Sequence, residues 1–183
     1  MKQPRTSTPE GSAAAAPRTP RTKSPDEALA ALMRLCARAE RSTGDALRLM
    51  QRWGLSEGDR QQVLQRLVRD RFIDDARYAG AFVREKFRLS GWGEYKIRAA
   101  LQRKGIARER IDAALAEADR GDTAGRLRRQ LERKARTAKH ASAYELKTKL
   151  VRYGLSLGYD YEAVIEVASA LVKNTDTPCN DFF

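Results

Sequence analysis

Residues 96–118 read KIRAALQRKGIARERIDAALAEA, and this stretch decides the fold because its pattern recurs. Apolar side chains return every three or four positions on both sides of Gly105, as in two short amphipathic helices joined by a glycine turn. Residues 46–67, ALRLMQRWGLSEGDRQQVLQRL, run in the same order around Gly54. Residues 149–171, KLVRYGLSLGYDYEAVIEVASAL, offer two glycines as the turn. Anchoring on Gly158 puts Val164, Val167 and Leu171 in step with Ile111, Ala114 and Ala118, and with Arg60, Val63 and Leu67. Anchoring on Gly154 breaks that agreement. Gly158 is the better anchor, and Gly154 then falls inside a helix at a cost of about 1 kcal/mol relative to Ala. Chance likeness between amphipathic helices is the competing explanation of the repeat.

One further helix precedes each pair, around residues 26–39, 75–89 and 122–137. Ser24 and Pro25 suit the cap and first position of the first of these, with Leu29, Leu32, Met33 and Cys36 as its stripe. Leu47, Met50 and Trp53 mark the next helix; Ser56 caps a third carrying Val63, Leu64, Leu67 and Val68. The expected fold is all-α: three tandem three-helix repeats forming an elongated, curved molecule, because a unit this small must pack on its neighbours. The expected boundaries are a disordered basic arm over 1–24, repeats over 25–72, 73–119 and 120–174, and a flexible tail over 175–183.

The arm follows from composition. Residues 1–25 hold five of the six prolines and scarcely a large apolar side chain, too little to offset the entropy of ordering them. The Ala13–Ala16 run is too short for a signal-peptide core, and no stretch has the length of a membrane span, so a soluble, cytoplasmic chain without membrane contact is expected. Cys36 and Cys179 have no companion histidines and are read as reduced thiols; neither a metal nor any other cofactor is expected. The formal net charge of +12 favours polyanions, whether nucleic acid or an acidic protein surface.

Residues 71–86, RFIDDARYAGAFVREK, place two acids together. Asp74 stands where it caps the helix carrying Ala76, Ala79, Val83 and Phe87, and Asp75 adds charge favourable to the positive helix end. A catalytic pair would need a converging partner and a pocket, to which nothing in the sequence points, so the acids are read as structural and the chain as no enzyme. Gly54, Gly105 and Gly158 are likewise structural. Arg77, Arg84 and Arg88, spaced by seven and four, form a stripe opposite the apolar one. Lys96 and Arg103 repeat that spacing on the next helix, with Arg98 and Lys104 close by. Residues 120–139 then carry eight basic residues against two acids, among them Arg126, Arg128, Arg129, Arg133 and Lys134. Each cluster reads either as a solvated face or as a polyanion contact. Trp92, between Gly91 and Gly93, is expected to pack at a junction between units rather than to stack on a base.

The run RFIDDARYAGAFVREKFRLSGWGEYKIRAALQRKGI resembles the central signature of the RecX family, regulators of the RecA recombinase. It has the [FL]-I-D-D-x-R-[YF]-A entry, a basic helix, a glycine break and an I-x-x-x-L-x-x-K-G-I helix ending. The upstream segment is similar through Arg41, Ser42 and Gly54, and the last unit through Tyr153, Gly158, Tyr159 and Ile165; the likeness runs from about Asp26 to Lys173. Three positions depart from the family pattern: Arg60 in place of an aliphatic residue, Trp92-Gly93 in place of a glycine-proline break, and Gly154 within a helix. The resemblance implies three tandem three-helix units without enzymatic chemistry. It also implies binding along the groove of the RecA–single-stranded DNA filament, with suppression of recombinase, ATPase and coprotease activity. The expected partners are RecA, its filament and DNA directly, met by a monomer, and the basic residues above are the candidates for that contact. The main alternative is a general basic DNA-binding protein without a dedicated protein target.

Overall fold

The computed structural model describes residues 22–118 and 121–175. The described residues form nine α-helices and no strand. Helices α1 (Pro25–Cys36), α2 (Thr43–Arg52) and α3 (Glu57–Arg69) make the first unit. The second holds α4 (Asp75–Glu85), a five-residue π-helical turn (Lys86–Ser90), α5 (Glu94–Arg103) and α6 (Arg108–Glu117). The third holds α7 (Thr123–Thr137), α8 (Ala143–Ser156) and α9 (Tyr161–Thr175).

Local chemistry accounts for most helix ends. Ser24 and Glu27 form a reciprocal capping box ahead of Pro25. Ser42, Ser56 and Ser142 cap α2, α3 and α8 by accepting from the N–H three residues on. The turn glycines take φ of +79° at Gly54, +80° at Gly105 and +84° at Gly158, a left-handed conformation in which a side chain is strained. Gly154 lies inside α8, as the anchoring on Gly158 requires. A Cβ there would lie 2.7 Å from Val164 Cγ1, so its missing side chain is what lets α8 and α9 pack closely. Arg60, the other departure within a helix, keeps its side chain half-buried and pairs with Glu57 across one turn.

Each unit has its own core. Leu32, Met50, Val63 and Leu67 centre the first, Val83, Ile97, Leu101 and Ile111 the second, and Leu127, Leu131, Leu150 and Val164 the third. All extensive helix-to-helix packing stays within a unit, so the cores are strung in order rather than merged. Three sequence expectations need correction. Ile73, assigned to the second repeat, is buried in the first core. Val68 is 46% exposed and does not join the α3 stripe. The end of the expected arm is held in place: Lys23 N–H donates to Trp53 O at 3.1 Å, its ammonium lies 5.2 Å from the Trp53 ring, and Ser24 is a cap. Residues 1–21, Arg120 and the tail beyond Thr175, Cys179 included, lie outside the described residues.

The units join by one device used twice. The cap residue of each middle helix meets the carbonyl just before the next unit's turn glycine. Ser42 Oγ donates to Lys104 O at 3.1 Å, and Gly93 N–H donates to Leu157 O at 2.7 Å. Both caps stand twelve residues before their own turn glycine, Gly54 and Gly105. The approach is close enough that a Cβ on Gly44 would overlap Lys104 O, and one on Gly93 would overlap Gly158 O. At the first unit's turn, Lys23 N–H makes the corresponding bond to Trp53 O, just before Gly54.

Candidate basic groove

Asp74 and Asp75 have different tasks. Asp74 Oδ1 accepts from the N–H groups of Ala76 (2.9 Å) and Arg77 (3.0 Å), and the bond from Arg77 leads in holding its carboxyl below the ordinary value. Asp75 is 4% exposed and turns back to the first unit. It accepts from Thr43 N–H at 2.9 Å and Thr43 Oγ1 at 2.7 Å, and Arg110 reaches it at 3.2 Å. Asp75 thus ties α2, α4 and α6 together, a role no local pattern announces because Thr43 lies 32 positions away.

The basic candidates separate in the same way. Arg77 lies beside the first unit, where its Nε donates to Glu40 at 2.6 Å and its Nη2 to Arg71 O at 3.3 Å. Arg98 is held by Glu94 and Asp112. Lys104 reaches Asp45 at 3.0 Å across the first junction. Burial pushes the Asp45 carboxyl up, but hydrogen bonds and charge from Arg48 and Lys104 outweigh it and leave it below the ordinary value. Lys96 Nζ donates to Ser156 O at 3.0 Å and lies 4.7 Å from the Trp92 ring, so it serves the second junction. Trp92 is half-buried on the second core, edge-on to Phe82. The α4 stripe is therefore not one surface. Arg77 and Arg88 are eleven residues apart, about 16 Å along a helix axis, so one faces the first junction and the other the second.

At that second junction a groove opens between the π turn and α7. Its cavity, about 480 Å³, is lined by Arg88, Leu89, Arg126, Arg129, Arg133 and Arg136, with Gly91, Gln130 and Glu132 completing the wall. A smaller cleft of about 200 Å³ adjoins it, where Arg84 and Arg88 meet Phe87 and Glu117. The α7 arginines follow a 3-4-3 spacing that sets them on one face, while Leu127 and Leu131 turn into the core. Arg136 was not among the sequence candidates, although the same spacing extends to it. Arg128 pairs with Glu132, and Lys134 lies 5.6 Å from the Tyr153 ring; both stand off the groove.

Each groove arginine is seated differently. Arg126 donates to Phe87 O at 3.2 Å and lies 5.8 Å from that ring, which binds α7 to the π turn. Arg129 reaches Asp122 at 3.3 Å, and Arg133 donates to Gln130 Oε1 at 2.7 Å. The side chains of Arg84, Arg88 and Arg136 make no hydrogen bond or ion pair among the described residues. Tyr159 Oη, also at the junction, donates to Gly91 O at 3.2 Å, and burial raises its pKa. The groove is thus built by two units, and its lining is strongly basic.

The regulatory protein RecX of Mycobacterium sp. (strain KMS) is 33% identical to this chain over 139 residues, covering 74% of the chain and 75% of that protein. This chain belongs to the RecX family. The family's model of the RecX second three-helix domain matches residues 74–115, the second unit. The RecX regulatory protein of Clostridium botulinum (strain Eklund 17B / Type B) is 26% identical over 138 residues, and the alignment spans 74% of this chain but 63% of that protein. A crystal structure of a RecX regulatory protein superposes with a TM-score of 0.71 at 19% identity, over 82% of this chain and 73% of the other, and shares the all-helical fold. No helix among the described residues of this chain is long and apolar enough to cross a membrane.

Proposed function

We propose that this member of the RecX family regulates RecA by seating on the RecA–single-stranded DNA filament through the groove between its second and third units. The observation that carries the reading is the meeting of Arg88 from one unit with Arg126, Arg129, Arg133 and Arg136 from the next, with Arg84 beside Arg88 in the smaller cleft. Membership of a family of regulatory proteins supports it, as does the absence of any need for chemistry: a multi-point ionic contact on a repeating lattice can alter filament growth by binding alone. Acting on such filaments places the protein in the cytoplasm. Among the sequence candidates, Arg103 remains an exposed residue near the first junction, at the far end of α5 from the groove, and its share in the contact is proposed as secondary.

Arginine also matches phosphate geometry, and this favours one second reading, direct binding of DNA without a protein target. Following RecA ATP hydrolysis on single-stranded DNA separates the two. Inhibition well below one protein per RecA, retained when excess free oligonucleotide is added, supports regulation of the filament. Inhibition that disappears with added oligonucleotide supports simple competition for DNA. Arg88→Glu with Arg133→Glu should remove the inhibition and keep the helical circular-dichroism spectrum; full inhibition by a folded double variant overturns the groove assignment.

A further inference from the structure

Leu89 is 82% exposed, more than any other large apolar side chain among the described residues, and it stands in the wall of the arginine groove. It belongs to the π-helical turn, a local departure from regular helix that Gly91 ends with φ +61°. Phe87, two residues earlier, is 4% exposed in the second core, so the turn sends one apolar side chain inward and the next outward beside Arg88. A lone exposed leucine needs no explanation by itself. Its position does, because the groove around it carries Arg88, Arg126, Arg129, Arg133 and Arg136 against one acid, Glu132.

We infer that Leu89 and these arginines form a docking site for an acidic protein segment that bears an apolar side chain. The inference rests on the proposed filament reading and specifies the chemistry of the surface bound. Phosphates would complement the arginines but leave the leucine uncovered. A polypeptide supplies both kinds of partner at once. The first and last of the groove's α7 arginines lie ten residues apart, about 15 Å of helix axis, with successive steps of three or four residues. Carboxylates one helical turn apart on a facing amphipathic helix meet that spacing, and an apolar residue at the end of its acidic row covers Leu89.

The test uses the full chain and its Leu89→Ala variant. Each is titrated against RecA assembled on a fluorescent single-stranded oligonucleotide, and against the same oligonucleotide alone. Leu89→Ala is expected to bind the filament about tenfold more weakly, bind the free oligonucleotide as the parent does, and melt at the parent's temperature. Unchanged filament binding by Leu89→Ala, beside loss in Arg88→Glu/Arg133→Glu, overturns the docking site and leaves the proposed function standing. Equal weakening on filament and oligonucleotide overturns the protein segment and assigns Leu89 to a base contact. A parent chain that binds the oligonucleotide but gains nothing from RecA overturns both the inference and the function beneath it.

Discussion

Asp74 and Asp75 are adjacent and chemically identical, yet their replacement by alanine should differ in cost. Asp74→Ala removes two bonds to helix N–H groups that water can still reach, and should lower stability by about 1 kcal/mol. Asp75→Ala leaves the Thr43 N–H and hydroxyl without their acceptor at a buried junction and unpairs Arg110, which should cost about 2–3 kcal/mol. Urea unfolding of the two variants checks the order. Asp45 adds a pH dependence. Its folded pKa is depressed, so its contribution is fully present above the unfolded carboxylate value near 4 and is lost as pH falls through the lower folded value. Because Arg48 and Lys104 are each more than a third exposed, that contribution is under about 1 kcal/mol, and Asp45→Asn should flatten the acid limb of a melting-temperature profile by the corresponding amount.

At the scale of elements, the sequence reading went furthest where the forces are local. Caps, glycine turns and apolar stripes act within a few residues, so the helices and the anchoring on Gly158 could be read directly. The groove was half legible. Arg84, Arg88, Arg126, Arg129 and Arg133 were singled out, but so were Arg77, Arg98 and Lys104, which the structure spends on Glu40, Asp112 and Asp45. Composition alone does not distinguish an arginine that lines an open groove from one that faces a carboxylate many positions away. Nor did the α-helical period foresee the π turn, which exposes Leu89 and offers Phe87 O to Arg126. The first helix offers a test of an element's end. A chain beginning at Asp26 loses the Ser24 capping box and the Lys23 bond to Trp53 O, and should be about 1–2 kcal/mol less stable than one beginning at Thr22. Comparing the two by urea unfolding checks that value.

For the whole molecule, the arrangement of units makes the proposed function depend on a joint to which Arg126 alone of the groove's arginines contributes. Each core folds around its own helices, and the second and third units meet mainly through bonds to backbone: Gly93 N–H to Leu157 O, Tyr95 N–H to Gly158 O, Lys96 to Ser156 O, Tyr159 to Gly91 O and Arg126 to Phe87 O. That joint is what sets Arg88 in one groove with Arg133 and Arg136. Gly93→Ala places a methyl group against the Gly158 carbonyl, where backbone on both sides leaves little room to yield. The variant should keep nearly all of its helix by circular dichroism, because the cores are untouched, yet inhibit RecA ATP hydrolysis at least tenfold less well. Gly58→Ala, at an open site on α3, is the matched control and should inhibit like the parent. Full inhibition by Gly93→Ala, with hydrogen exchange showing the Gly93 amide still protected, would mean that the joint absorbs the methyl group. Full inhibition with that amide exposed would mean instead that the two halves of the groove act separately.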